Sequence, residues 1–370
     1  MNSYFDFENI KLIQLFLSGI LACFLALKAI PVIITISRLK NLMAEPGERH
    51  SHEAKTPTLG GVAIFAATLI SYFIWKYDDE EPLIHVSISA IIILFFLGVK
   101  DDILVLSPKK KIIIQVLVAA MVTILGPLQI DNFFGILGIN EIPGIMSFFL
   151  TILIFISLIN AINLIDGIDG LAGGIGLLAG LFFGIWFYLS SHYSLAYLAI
   201  SMSGALLGFL RYNFSIKNKI FMGDTGSLIV GFLLSMFVIK FVQINVSYHY
   251  DPSSLYAAPI LAIVTLIVPI FDTLRVFIIR LKNRKSPFLG DRNHLHHILI
   301  DLGLSHLKAS IYLWIFTAVA MLFFGVLSFN NCSNSTCFIL LAISFFIYLM
   351  VANILKNKIG LNEKKAQISK

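Results

Sequence analysis

Long apolar segments restrict the fold of this chain more than any other feature. They lie near 12–37, 59–75, 83–99, 112–126, 145–165, 171–190, 194–210, 226–242, 257–279, 309–329 and 337–355. A helix needs about 20 mainly apolar residues to cross the hydrocarbon core of a bilayer. Hydrophobic residues make up 58% of the chain and charged residues 13%, whereas soluble domains have roughly 25% charged residues. The sequence therefore predicts one all-α polytopic membrane domain over residues 1–370, with about eleven transmembrane helices.

Basic residues predict the orientation of these helices. Of the 27 lysines and arginines, 22 fall in connections that would lie on one side if every apolar segment crosses the membrane. Because cytoplasmic loops carry an excess of lysine and arginine, we expect the N-terminus outside and the C-terminus in the cytoplasm. The polar motifs described below then open on the cytoplasmic face.

A polar, glycine-rich stretch joins the fifth and sixth apolar segments. Asn160, Asn163, Asp166 and Asp169 recur at every third position, so they would share one face if the helix continues through them. Carboxylates and amides at membrane depth usually mark a functional site. Helix packing through small residues would account for the intervening glycines but not for the two acids and two amides.

Two adjacent acids, Asp101 and Asp102, end the third apolar segment. Neighbouring residues on a helix point about 100° apart, so we expect the two carboxylates to have different roles, one towards a metal ion and the other towards a proton. A solvated pair of acids at a helix end is the alternative.

The run Gly223-Asp224-Thr225-Gly226-Ser227 precedes the eighth apolar segment. It predicts a helix start, where free N–H groups suit an anion and the carboxylate of Asp224 suits a divalent cation. An ordinary N-cap is the alternative.

Two loops on the predicted cytoplasmic side combine cations with histidines. The first, around 45–61, has three side chains that could meet a phosphate: Arg49, His52 and Lys55. The second follows an Asp272–Arg275 pair spaced for an ion pair within a helix, and it supplies donors for phosphate oxygens: Arg292, His294, His296 and His297. A zinc site is the weaker interpretation of these histidines, because no cysteine accompanies them.

Two features are predicted on the outer side. Residues 126–143 have the pattern of two short strands around a glycine turn, which predicts a small external β-hairpin. Cys332 and Cys337 share one loop, where an oxidising compartment would permit a disulfide.

Four motifs together resemble the polyprenyl-phosphate N-acetylhexosamine-1-phosphate transferases of glycosyltransferase family 4. They are Asp101-Asp102, Asn160-x-x-Asn163-x-x-Asp166-Gly-x-Asp169-Gly-Leu, Phe221-Met-Gly-Asp224-Thr-Gly-Ser and Asp291-Arg-x-His294-x-His296-His297. The histidine loop is similar to the WecA-like and TagO-like branch, since Leu295 breaks the run of three histidines usual in the MraY-like branch. Residues 56–61 are somewhat MraY-like, so a phospho-MurNAc-pentapeptide transferase is the alternative within the family.

The resemblance implies an enzyme that transfers N-acetylglucosamine-1-phosphate from UDP-N-acetylglucosamine to undecaprenyl phosphate and releases UMP, with Mg²⁺ or Mn²⁺ as cofactor. It implies a catalytic group that comprises Asp101, Asp102, Asp166, Asp169 and His297. Asp224, with Asp166, is the expected metal ligand, and Phe221 is expected to stack on uracil. The remaining expected substrate contacts are Asn160, Asn163, Asn213, Arg292, His294, His296, Arg49, His52 and Lys55.

The family implies a bacterial cytoplasmic membrane as the location, with the lipid bilayer and the two substrates as partners and no nucleic acid. Pairing of two copies is left open. A membrane transporter is the alternative of another class, but transporters place such groups near the bilayer midplane. A CDP-alcohol phosphotransferase should show an Asp-Gly-x-x-Ala-Arg run, which is absent after Asp166. A catalytically silent protein of the same fold is disfavoured by the intact acids.

Overall fold

A computed structural model describes residues 2–44, 56–76, 82–247, 255–284 and 293–368. Helices dominate this part of the chain. They are α1 (Asn2–Leu39), α2 (Gly60–Trp75), α3 (Pro82–Leu104), α4 (Pro108–Leu125), α5 (Gly144–Ile165), α6 (Leu171–Leu189), α7 (Tyr193–Asn213), α8 (Gly223–Ser247), α9 (Ala258–Thr265), α10 (Ile267–Lys282), α11 (Leu295–Asp301), α12 (His306–Phe329) and α13 (Asn334–Ile368).

The predicted all-α membrane architecture is confirmed. Within the described residues, eight helices are long and apolar enough to cross a membrane. The number rises to nine if the bent pair α9 and α10 forms one further span. The other two predicted segments are also helical. Helix α2 has only 16 residues, and α4 begins with a proline and three lysines, which reduce its apolar length. Each of the eleven apolar segments therefore corresponds to one helix or to the bent pair.

Helices α7 and α8 form the centre of the bundle, and α1, α12 and α13 are much more exposed. Helices α1 and α7 run parallel in close contact because small residues line their interface. A Cβ added to Gly204 of α7 would lie 2.0 Å from the backbone oxygen of Gly19 in α1. Side chains are thus excluded where the two backbones meet, as is common between helices in membranes.

The chain alternates between the two ends of the bundle. The ends of α3, α5 and α7 meet the starts of α4, α6 and α8 at one end, where the predicted polar motifs lie. The predicted β-hairpin is confirmed at the other end: β3 (Asn132–Ile136) pairs antiparallel with β4 (Ile139–Glu141). Leu137 and Gly138 form its turn with φ values of 54° and 81°. Cys332 and Cys337 are free thiols.

A second, unpredicted pairing joins β1 (Met43–Ala44) to β2 (Thr56–Pro57) in antiparallel register. These two strands bracket the first basic loop. The predicted phosphate contacts Arg49, His52 and Lys55 lie outside the described residues.

The close packing of α1 and α7 makes a testable prediction. Replacing Gly204 with alanine forces the two backbones apart, which costs about 1–3 kcal/mol by analogy with overpacked cores. We expect a lower midpoint of thermal unfolding in detergent for Gly204→Ala. Gly325→Ala is the matched control, because a Cβ at that helical position meets nothing within 4 Å. Equal midpoints for the two variants would contradict this account of the interface.

Candidate active site

A cavity of about 540 Å³ opens at the end of the bundle where the polar motifs meet. Residues from α3, α5, α7 and α8 and from their connecting loops form its walls. The residues that line it include eight of those predicted from the sequence to be functional: Asp101, Asp102, Asn163, Asp166, Asp169, Asn213, Phe221 and Asp224. The structure thus brings together acids that are separated by up to 123 positions in the chain.

Asp102 holds the start of α8. Its Oδ1 accepts a hydrogen bond from the backbone N–H of Asp224 at 2.8 Å, and its Oδ2 accepts from the N–H and hydroxyl of Thr225 at 3.0 and 2.5 Å. The first N–H groups of a helix have no partner within the helix, and they favour a negative charge. Asp102, at the end of α3, supplies both the hydrogen-bond acceptors and the negative charge. Its two carboxylate oxygens are therefore occupied.

The backbone at Gly223 makes this contact close. Gly223 has a φ of 72°, a conformation that a residue with a Cβ adopts only with strain. A Cβ there would lie 2.1 Å from the backbone oxygen of Thr58 and 2.8 Å from either carboxylate oxygen of Asp102. Glycine therefore allows the chain to turn into α8 directly beside the carboxylate.

Lys111 at the start of α4 bridges the two acids Asp101 and Asp224. Its Nζ forms a short ion pair with Oδ2 of Asp101 and lies 3.3 Å from Oδ2 of Asp224. Oδ1 of Asp101 accepts the N–H of Leu106 at 2.6 Å, which fixes the turn between α3 and α4. Asp101 and Asp102 thus have different environments, as their spacing predicts. The metal and proton roles expected of them stay predictions.

Asp224 is placed by α5 as well as by α4. The side-chain amide of Asn163 donates to Oδ1 of Asp224 at 2.5 Å and contacts the hydroxyl of Ser227 at 2.7 Å. The side chain of Asp224 is 28% exposed, so it remains open to the cavity. Its carboxylate is therefore oriented by protein donors while it faces the space where a ligand would bind.

Asp166, the residue after α5, is the least satisfied acid of the cavity. No hydrogen bond joins its carboxylate to any other residue in the described ranges. Burial, reinforced by the negative charges of Asp224, Asp102 and Asp169, raises the pKa of Asp166 well above its ordinary value. A bound cation would relieve this repulsion, because an opposite charge favours the ionised form.

Asp169 lines the same cavity but has strong protein partners. Its Oδ2 lies 2.5 Å from Nζ of Lys219 and 3.2 Å from Nδ1 of His306. The hydroxyl of Ser310 donates to its backbone oxygen at 2.7 Å. Asp169 therefore connects the loop before α6 to the chain between α7 and α8 and to the start of α12.

Two predicted substrate contacts, Asn160 and Asn213, have hydrogen-bond partners within the protein. The amide of Asn160 donates to Gln115 Oε1 and to the oxygen of Ile156, each at 2.7 Å. Asn160 is absent from the cavity wall: one turn before Asn163, its amide contacts Gln115 of α4. Its role as a substrate contact stays a prediction. Asn213 lines the cavity, but its amide accepts the N–H of Gly170 at 2.6 Å and donates to the oxygen of Ile220 at 2.8 Å.

Phe221 forms part of the opposite wall. Its backbone is fixed on both sides, since its N–H donates to the oxygen of Pro57 at 2.8 Å and its oxygen accepts from Gly60 at 3.0 Å. The ring lies 5.6 Å from Nζ of Lys219. An aromatic face held in this way beside a cation can stack with a planar ligand.

The histidine motif lies behind the cavity. His294 shares a hydrogen bond of 2.8 Å with Oδ2 of Asp272, and the N–H of Leu295 donates to Oδ1 of Asp272 at 2.8 Å. Tyr348 donates to the same Oδ1 at 3.3 Å. The predicted ion pair between Asp272 and Arg275 is long, at 3.9 Å, because Asp272 is directed mainly at the histidine loop. Asp272 therefore positions this motif against α10 and α13.

His296 connects this motif to the cavity. Its Nε2 lies 2.7 Å from where a Cβ of Gly167 would be, and Gly167 is part of the cavity wall. Burial, followed by the charge of His297, lowers the pKa of His296 well below its ordinary value, so its ring is neutral at pH 7. His297 is buried beside it, with ring centroids 4.3 Å apart. Arg292 lies outside the described residues.

The sequence did not single out two lysines and a histidine at this site: Lys111, Lys219 and His306. Each lies in a stretch rich in basic residues or near a helix start, where positive charge is expected on topological grounds alone. Lys111 contacts Asp101 and Asp224, and Lys219 and His306 contact Asp169. These contacts depend on how the helices assemble, so the local sequence carries little signal for them.

These observations define a polytopic membrane protein with an acid-rich cavity at one end of its helices, built at the N-terminus of α8. Comparison with known proteins agrees with this class. The model of glycosyl transferase family 4 matches residues 84–242, the part of the chain that supplies every acid of the cavity.

The relatives cover most of the chain. An undecaprenyl-phosphate α-N-acetylglucosaminyl 1-phosphate transferase of Haemophilus influenzae is 30% identical over 75% of this chain and 77% of its own length. A probable undecaprenyl-phosphate N-acetylglucosaminyl 1-phosphate transferase of Bacillus subtilis is 31% identical over 80% of both chains. The undecaprenyl-phosphate α-N-acetylglucosaminyl 1-phosphate transferase of Escherichia coli K12 is 27% identical over 91% of this chain and 89% of its own length. This chain belongs to glycosyl transferase family 4.

Because Asp102 and Asp166 have different environments, we expect their replacement by asparagine to have opposite effects on stability. Asp102→Asn places an amide N–H₂ against donors, so we expect a loss of about 1–3 kcal/mol in the free energy of unfolding. Asp166→Asn removes a charge that its neighbours repel, so its stability should equal or exceed that of the wild type. Thermal unfolding in detergent with a chelator present measures both. A larger loss for Asp166→Asn than for Asp102→Asn would overturn these assignments.

Proposed function

We propose that this protein transfers N-acetylglucosamine-1-phosphate from UDP-N-acetylglucosamine to undecaprenyl phosphate. The observation that carries the proposal is the cavity in which Asp166 and Asp224 face open space beside Lys111, at the end of a membrane bundle. The names of the relatives support the two substrates. In the reaction, an oxygen of the lipid phosphate bonds to the sugar-bearing phosphorus of the nucleotide, and the bond from that phosphorus to UMP breaks.

Mg²⁺, with Mn²⁺ as the alternative, is the proposed cofactor. The described residues contain no group of three histidine, cysteine or acidic side chains close enough to hold a metal alone. Mg²⁺ usually takes only one or two protein carboxylates, and substrate phosphates and waters complete its shell. Asp224 and Asp166 fit this requirement, because the first is open to the cavity and the second lacks a hydrogen-bond partner in the described ranges. When bound, the ion would neutralise charge on the diphosphate.

The protein's own groups would mainly manage charge and orientation. A phosphate monoester has a second pKa of about 6, so the lipid phosphate is already mostly a dianion at pH 7 and hardly needs a general base. Asp102 would keep the start of α8 in place, and Lys111 would hold Asp101 and Asp224 while adding positive charge near the diphosphate. Catalysis in this proposal depends on alignment and shielding rather than on proton removal by Asp101 or Asp102.

The remaining predicted contacts surround this centre. In the proposal Phe221 stacks on the uracil ring and Asn163 contributes to the nucleotide-sugar pocket. His297 and His296 approach the diphosphate from behind Gly167, with Arg292, Arg49, His52 and Lys55 as further candidates. The chain would lie in the bacterial cytoplasmic membrane with this end of the bundle in the cytoplasm, as the distribution of basic residues indicates.

Purified protein tests the reaction directly. With radiolabelled UDP-N-acetylglucosamine, undecaprenyl phosphate and Mg²⁺, we expect label in an organic-extractable product, and none when the lipid or the divalent cation is omitted. Parallel reactions with UDP-N-acetylgalactosamine and UDP-MurNAc-pentapeptide distinguish the sugar and the MraY-like alternative. No organic-extractable label with any of the three nucleotides would refute the transferase proposal. If the protein is reconstituted into vesicles and label accumulates only inside them, the result would support a transporter.

The separate roles of the acids predict unequal losses of activity. Asp224→Asn removes a proposed metal ligand, so we expect kcat to fall by roughly 100- to 1000-fold, the range seen when one strong electrostatic contact to a transition state is lost. Asp101→Asn weakens only the ion pair with Lys111 and should lose much less. Asp131→Asn, in the connection to the β-hairpin at the opposite end of the bundle, is the control and should retain wild-type activity. Equal losses for Asp224→Asn and Asp101→Asn at saturating Mg²⁺ would contradict these roles.

A further inference from the structure

A second cavity, of about 460 Å³, lies between α1 and the end of α7 on the outer surface of the bundle. Its walls are Phe24, Leu27, Lys28, Arg211, Tyr212, Ser215 and Asn218, none of which lines the acid-rich cavity. It therefore lies apart from the proposed active site.

Lys28 is unusual because it interrupts a lipid-facing stripe of α1. Residues Phe16, Ile20 and Phe24 precede it at helical spacing and are 63%, 64% and 53% exposed, and Val32 follows it at 57%. Lys28 lies about 16 Å along the helix from Leu39, where α1 ends. A cation so far inside an apolar helix is costly and by default marks a function.

A contact between α7 and α1 fixes the position of Lys28 along the bundle. The hydroxyl of Tyr212 donates to the backbone oxygen of Leu27 at 3.1 Å, so Lys28 is level with the last residues of α7. Arg211 lies one residue before Tyr212 and lines the same cavity. The long side chains of Lys28 and Arg211 can extend along apolar surface to bring their charges to the level of lipid headgroups.

The positive charge of this cavity is not neutralised by the protein around it. Within the described ranges, neither Lys28 nor Arg211 pairs with a carboxylate, and Lys28 contacts only the ring of Phe24, at 5.6 Å. Hydroxyl and amide groups of Ser215 and Asn218 complete the polar wall. Two cations with neutral donors, above an exposed apolar stripe, have the chemistry to bind a phosphate that carries acyl chains.

We propose that this cavity binds the headgroup of one anionic glycerophospholipid from the leaflet nearer the active site. Its phosphate would lie between the Lys28 ammonium and the Arg211 guanidinium, and its acyl chains would follow Phe24, Ile20 and Phe16 towards the middle of the bilayer. An anionic lipid fits better than a zwitterionic one, because a choline group would add a third positive charge beside the two cations.

Native mass spectrometry of the delipidated full-length protein tests this site. We expect one added phosphatidylglycerol to bind per chain and added phosphatidylcholine to bind at least fivefold more weakly, as about 1 kcal/mol per basic residue implies. Lys28→Met and Arg211→Gln should each weaken phosphatidylglycerol binding by roughly fivefold or more. Lys28→Arg keeps the positive charge and should bind phosphatidylglycerol as the wild type does. This variant also controls for folding.

Lys282→Met is the matched control, because it removes the same charge at the end of α10, outside this cavity. It should bind phosphatidylglycerol as the wild type does. Wild-type binding by both Lys28→Met and Arg211→Gln, or equal binding of the two lipids, would overturn the proposal. Displacement of phosphatidylglycerol by millimolar inorganic phosphate would indicate a site for free phosphate, and displacement by equimolar undecaprenyl phosphate would indicate a substrate site; either result would also overturn it.

Discussion

The contact between Asp102 and the start of α8 is the interaction on which the site depends. It places a half-buried carboxylate against N–H groups that have no partner within their own helix. Because Asp224 is the second residue of α8, the same contact fixes where Asp224 faces the cavity. Gly223 permits the approach through its positive φ. One cross-helix cap therefore determines the position of the proposed metal ligand and couples the end of α3 to the centre of the bundle.

Charge balance explains the rest of the arrangement. Five carboxylates line one cavity, and like charges at such separations repel strongly where water is partly excluded. Lys111 offsets Asp101 and Asp224, and Lys219 offsets Asp169. Asp166 is left without such a partner in the described part of the chain, and this imbalance is what a divalent cation with anionic substrates would correct. Asp272 holds the histidine motif apart from the acid cluster, through His294 and the backbone of Leu295.

The sequence predicted the helices well because each apolar segment is specified locally by its length and composition. It also predicted most of the cavity wall, since acids and amides at membrane depth are rare and costly wherever they occur. It did not predict the contact of Asn160 with Gln115, because a period of three places Asn160 and Asn163 on one face but cannot show where the neighbouring helix α4 covers that face. Lys111 was missed for a related reason: beside Lys109 and Lys110 it resembles an ordinary membrane-flanking charge. Such contacts depend on tertiary packing, which single-sequence periodicity does not contain.

The central claim is that Asp224 and Asp166 hold a divalent cation together with the nucleotide diphosphate. Electron paramagnetic resonance of bound Mn²⁺ in the presence of UDP-N-acetylglucosamine tests it most directly, because coupling to ³¹P reports contact between the ion and the phosphates. The account predicts one tightly bound Mn²⁺ per chain with ³¹P coupling, lost in Asp224→Asn and weakened in Asp166→Asn. Phosphate-coupled Mn²⁺ that persists unchanged in both variants would contradict it.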